Sequence, residues 1–201
     1  MYNIYLNSKS LKTLLVSAIE VYRNETNGFL AGRPVVKKIY GKEKVVFSLQ
    51  TIYPLQTADR KPSQVLHGSD LAHNRALGSL TALKMPLIGG FHSHTDYLPD
   101  ITAYPELSEG DLDHIHDEMK KIKKFGYDLD PWLEVLLTIR KKEYLRKQKT
   151  GISTNSHKRK LGCTVVTDSH TGYKITLAGY WLQNGSQKLR VGKEAKIFAG
   201  F

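Results

Sequence analysis

The 201-residue chain has a single cysteine, Cys163, which excludes an internal disulfide. Its neighbours Thr164, Val165 and Val166 read as a buried strand, not as the setting of a reactive thiol, and one reduced cysteine fits the cytoplasm. Long hydrophobic runs are also missing. Nothing approaches the ~20 apolar residues of a membrane-spanning helix, and the start, Met1-Tyr2-Asn3-Ile4-Tyr5, lacks the basic and apolar regions of a secretory signal. No membrane partner is expected. Acidic residues are scarce, with 19 Asp and Glu against 30 Lys and Arg, and the net charge of +11 asks for a negatively charged partner. Aromatic platforms interleaved with those cations are absent, so a dedicated nucleic-acid module is not favoured. Much of the charge is local instead: Lys141, Lys142, Arg146, Lys147, Lys149, Lys158, Arg159 and Lys160 share one interval, about 141–160, which is either a solvated loop or an insertion that meets an acidic partner.

What is present is an ordinary globular composition, 40% hydrophobic and 24% charged, in a length that fits one domain over residues 1–201. Leu11, Leu14, Leu15, Ala18, Ile19 and Tyr22 recur at helical spacing, with Ser10 or Ser8 as N-cap. Glu25 then stands at the junction where Asn27-Gly28 breaks the helix and Phe29-Leu30-Ala31 begins a strand. Strands are expected over 35–40 and 45–53, a loop over 54–64, and a second helix over 69–83. Leu87-Ile88-Gly89-Gly90-Phe91 runs as a buried strand into His92-Ser93-His94. Thirteen residues, Thr95 to Leu107, form a loop with Pro99 and Pro105. Ser108 caps a third helix whose first turn carries Glu109 and Asp111. Strands at 132–140, 161–167 and 173–183 complete the reading.

The chemistry gathers at the histidine pair. In an extended segment, His92 and His94 point to one side because side chains alternate with period two. Two neutral imidazoles and one carboxylate, with a fourth position left for water, make the ligand set of a catalytic zinc site, and Asp111 supplies the carboxylate if its helix begins beside the strand end. Such a metal lowers the pKa of water to ~7. Glu25 is the candidate for taking the water's proton, and Ser108, one turn before Asp111, faces the same cleft. Spacing alone does not decide the matter, because His114-Ile115-His116 repeats the pattern. Within a helix, however, i and i+2 point to different sides, so these two histidines are read as surface or packing residues.

A glutamate followed by Asn27-Gly28-Phe29-Leu30-Ala31-Gly32, a strand ending His-Ser-His, and Ser-x-x-Asp opening a helix resembles the JAMM motif of MPN-domain zinc metalloproteases, in the family's order from Glu25 to about Trp181. The resemblance implies a single MPN/JAMM domain of α/β class: an α-β-α sandwich, cytidine-deaminase-like, with a curved mixed sheet flanked by helices. It makes His92, His94 and Asp111 the ligands of one Zn2+ per chain, Glu25 the general acid/base and Ser108 the donor to the oxyanion, with Ser93 structural. The implied activity is hydrolysis of the isopeptide bond between the C-terminal glycine of ubiquitin or a ubiquitin-like modifier and a lysine amine. Two departures stand out: residues 95–107 form a longer loop than the family's, an insertion at the lip of the site, and Thr95 stands where proline often follows the second histidine. In that loop Asp96, Tyr97, Asp100, Tyr104 and Glu106 are available to a substrate. Other readings of the motif are a non-catalytic MPN scaffold, a RadC-like DNA-associated protein, and a relative acting on small-molecule or cell-wall amides.

Overall fold

The computed structural model describes residues 3–56, 58–61, 64–67, 69–96, 103–154, 159–185 and 188–200. Along the chain the elements are β1 (Asn3–Leu6), α1 (Ser8–Glu20), β2 (Asn27–Ile39), β3 (Lys42–Pro54), β4 (Ala58–Lys61), β5 (Gln64–His67), α2 (Asp70–Ala82), β6 (Leu87–Thr95), α3 (Glu109–Lys123), β7 (Trp132–Glu143), β8 (Gly151–Thr154), β9 (Leu161–Val166), β10 (Thr171–Asn184), β11 (Leu189–Ala195) and β12 (Ile197–Ala199). Ten strands form one sheet in the order β12-β1-β3-β2-β6-β7-β10-β9-β8, with β11 on β10, and β4 and β5 make a separate hairpin. Among the described residues, no helix is long and apolar enough to cross a membrane.

The expected α/β fold, an α-β-α sandwich with helical layers on a sheet, is overturned: the described residues are mostly strand, with three helices among them on a sheet curled into a half-barrel. The curl shows in which residues meet. Ile4 on β1 touches Gly179 on β10, although β3, β2, β6 and β7 lie between these strands in the sheet. A side chain at 179 would strike Ile4, so glycine permits the approach. Leu11, Leu14, Leu15 and Ala18 of α1 share one core with Ile4, Leu30, Leu133 and Leu137, and that core reaches Cys163 and Ile175 near the far edge. The curled sheet thus closes on α1. A second core joins Leu77 and Leu80 of α2 and Ile115, Met119 and Ile122 of α3 to Phe29, Trp132 and Leu136.

Several local expectations also change. Asn7, not Ser8 or Ser10, caps α1, its side chain accepting the Ser10 N–H at 2.8 Å. The polar stretch read as loop after Pro54 contains β4 and begins β5. Within the basic interval, β7 runs on to Glu143 and β8 pairs with β9, so it is not one uninterrupted loop; residues 155–158 lie outside the described residues. Tyr97 and Asp100, named in the 95–107 loop, also lie outside them. Cys163 is buried in β9, and burial pushes its thiol up to about 12.

Candidate metal centre

Strand β6 is buried at every position because both its neighbours are strands: β2 runs antiparallel on one side and β7 parallel on the other. Asn27 pairs with His92, Gly90 with Glu134, and His94 with Thr138. Period-two alternation then sets His92 and His94 on one face, beside Asn27 of β2 and Glu134 of β7. Ser93 points the other way. Its hydroxyl accepts the Thr26 N–H at 3.0 Å, and its own N–H donates to the Thr26 carbonyl at 2.9 Å, extending the strand pairing to the residue after Glu25. The Glu25 N–H donates to the Lys61 carbonyl at 3.0 Å, so the β4–β5 hairpin holds this junction from its other side.

Asp111 enters from α3. Ser108 is the N-cap, and the cap is reciprocal: the Asp111 N–H donates to Ser108 Oγ at 3.1 Å, while the Ser108 N–H and hydroxyl donate to Asp111 Oδ2 at 2.6 and 2.7 Å. This fixes the carboxylate between the two imidazoles. Asp111 Oδ1 lies 3.6 Å from His92 Nε2, and Oδ2 lies 3.4 Å from His94 Nε2. Each Nδ1 is tied elsewhere, His92 donating to Glu134 Oε1 at 2.8 Å and His94 to the Tyr104 carbonyl at 2.8 Å. With Nδ1 committed as a donor, each ring turns Nε2, the atom free to bind a metal, toward Asp111.

The donor set fits a divalent cation. One ligand atom from each of His92, His94 and Asp111 lies within 4.8 Å of the others. Among the described residues His92 Nε2 is buried without a hydrogen-bond partner, and a buried nitrogen left this way is a cost that a metal bond removes. The electrostatics agree. Burial opposes the charged form of His92, yet the carboxylates of Asp111 and Glu134 outweigh it and push the imidazole up to about 10. Burial likewise opposes the Asp111 carboxylate, but His92, His94 and the Ser108 N–H hold it well below the usual range. The spot favours positive charge.

Glu25 is 7% exposed and lines the same cavity, about 260 Å³, as His92, Asp111 and Ser108. Burial lifts its carboxyl to about 7, opposed by His94 and His92 and helped by Asp111, which is where a group that takes and returns a proton near neutral pH belongs.

All five residues expected at the site meet here, but Ser108 spends its hydroxyl proton on Asp111. Sequence reasoning missed Glu134, which is 3% exposed and accepts from His92 Nδ1 and, at 2.7 Å, from Trp132 Nε1. A lone acid inside the run Trp132-Leu133-Glu134-Val135-Leu136 was the available signal, since buried carboxylates need partners. Gly90 makes room for it: a Cβ there would sit 2.8 Å from the Trp132 ring and 3.2 Å from Glu134 Oε2. His114, read as surface or packing, lines the cavity.

The loop after β6 takes part through its backbone. Asp96 accepts the Ala103 N–H, Arg140 Nε lies 3.7 Å from Asp96 Oδ1, and Arg140 Nη2 donates to the Ala103 carbonyl at 3.4 Å. Arg140 therefore closes the loop just before Tyr104, whose carbonyl orients His94. Arg140→Met is expected to weaken zinc binding about tenfold, as lost support behind a ligand does, with folding unchanged. Competition against a chromophoric chelator measures this, and an unchanged dissociation constant would refute the linkage.

No protein-family model and no curated protein matches the chain. Among solved structures it is similar to the solution structure of protein DSY2949 from Desulfitobacterium hafniense, at 17% identity and a TM-score of 0.48, over 98% of this chain and 92% of that one.

Proposed function

We propose that the chain is a zinc metallo-isopeptidase of JAMM type, hydrolysing the bond between the C-terminal glycine of ubiquitin or a ubiquitin-like modifier and a lysine amine. The observation that carries this reading is the facing of His92 Nε2, His94 Nε2 and the Asp111 carboxylate beside a cavity that His92 and Asp111 line together with the raised-pKa Glu25. His92, His94 and Asp111 would hold a zinc ion, which would supply Lewis acidity and activate a water. Glu25 accepts the proton of that water and returns it to the departing amine. Ser108 donates to the oxyanion by turning its hydroxyl from Asp111, which keeps the Ser108 N–H as a donor at 2.6 Å; one such donor supplies about 3 kcal/mol of transition-state stabilisation.

The reading includes a cytoplasmic location, supported by the lone buried Cys163. It also includes an acidic partner at the basic interval 141–160. Lys160 Nζ donates to the Pro105 carbonyl at 3.4 Å, so this interval adjoins the lip of the cleft.

The test is to load the purified chain with zinc and offer it a panel of ubiquitin and ubiquitin-like conjugates. One zinc per chain is expected, with cleavage that stops on chelation and returns with added zinc. Cleavage that survives metal removal, or a chain that holds no zinc, would sink the proposal.

A further inference from the structure

Among the polar side chains that line the cavity is one, Asn27, that neither the metal ligands nor Glu25 uses. Asn27 pairs with His92 across β2 and β6, so its side chain rises on the His92 face, and it lines the cavity beside Glu25 and His92. It is 7% exposed, and its Oδ1 is buried with no hydrogen-bond donor among the described residues. The two ring N–H groups nearby are committed, because His92 Nδ1 and Trp132 Nε1 both donate to Glu134. A buried acceptor without a donor is a standing cost to the fold. Its donor must come from what enters the cavity.

We infer that Asn27 is a substrate-positioning residue, whose side-chain carbonyl accepts an amide N–H from the acyl side of the scissile bond. This rests on the function proposed above and narrows its substrate class to peptide-like amides that carry such an N–H. The apolar Phe29, Leu55 and Ile115 of the surrounding wall suit a peptide unit of small residues, and the acceptors that share the cavity with Asn27 include Glu25, Asp111, His114, Glu118 and Glu134. A substrate lacking the N–H leaves Oδ1 buried and unpaired, which makes the site selective as well as receptive.

The zinc-loaded protein can be titrated calorimetrically with acetyl-glycyl-glycine hydroxamate and with the two analogues in which one glycine is replaced by sarcosine, which removes one N–H at a time. Wild type is expected to bind one sarcosine analogue about tenfold more weakly than the parent, the effect of one hydrogen bond to a buried acceptor. Asn27→Leu, nearly isosteric, is expected to bind zinc as before and to lose that preference. Asn27→Asp, which keeps an acceptor oxygen in place, is expected to retain it. Thermal unfolding of the metal-free protein gives a second readout: Asn27→Leu should melt a few degrees higher than wild type, because an unpaired buried acceptor has been removed. Equal preference in wild type and Asn27→Leu, or none in wild type, overturns the assignment while leaving the metal centre intact. Failure of wild type to hold zinc overturns the parent function instead.

Discussion

On the proposed function, Glu25→Gln is expected to leave one zinc per chain and to lower isopeptide hydrolysis by about 10³-fold, the middle of the range for a positioned general acid/base. Glutamine preserves the size of the side chain but cannot carry a proton between water and amine. Glu25 is outside the ligand set, so zinc content separates this loss from loss of the metal. Retained hydrolysis at wild-type rate in the variant would remove Glu25 from the mechanism. The same substitution alters stability in the metal-free protein. The Glu25 carboxyl is raised from 4.5 to about 7 on folding, so between those values the folded state holds a proton that the unfolded chain has released. Stability therefore falls as pH rises through this window, and above it the full cost, on the order of 3 kcal/mol, is present. Glutamine does not titrate. Denaturant unfolding with chelator present should show the variant gaining on wild type from pH 5 to pH 8, with no gain between pH 3 and pH 4.

If the site holds zinc as proposed, Glu134→Gln is expected to weaken its binding by about 10- to 100-fold, the usual effect of removing a carboxylate behind a ligating histidine. Glu134 Oε1 takes the His92 Nδ1 proton at 2.8 Å, which fixes the tautomer and the ring plane that present Nε2. Glutamine has one acceptor oxygen for two donors: if it faces His92, its NH2 meets the Trp132 N–H, and in either orientation the negative charge that makes the imidazole a stronger donor to the metal is lost. Glu134→Ala is harsher, stranding the buried His92 and Trp132 N–H groups together, and is expected to cost about 3 kcal/mol of fold stability besides the metal. Chelator competition on the Gln variant and urea unfolding on the Ala variant measure the two effects. Zinc affinity unchanged in Glu134→Gln would mean that His92 needs no help in presenting Nε2.

The parts of the site that could be read in sequence are those that depend on residue type and short-range geometry. His92 and His94 share a face because β6 is extended, and Ser108 with Asp111 opens α3 because a hydroxyl and a carboxylate satisfy bare N–H groups. The parts that could not be read depend on distant backbone. Any residue at 104 carries a carbonyl, so nothing marked Tyr104 as the partner of His94. Asn27 looked like half of an Asn-Gly break, and only its register with His92 shows where its side chain goes. The curl of the sheet was equally hidden, since it rests on Ile4 meeting Gly179, 175 positions apart. The parallel pairing of β1 with β3 and β12 likewise joins segments distant in the chain. Short strands such as β4, β8 and β12 pair with their neighbours without a long apolar period to announce them.

The Tyr104 carbonyl on His94 Nδ1 makes the loop and the cation thermodynamically reciprocal. If a bound protein or modifier steadies residues 103–105 and so raises zinc affinity tenfold, zinc raises the affinity for that partner by the same factor, a coupling of about 1.4 kcal/mol. On the proposed function the loop would then be a lever on the metal, and a partner could set the fraction of loaded protein without touching a ligand.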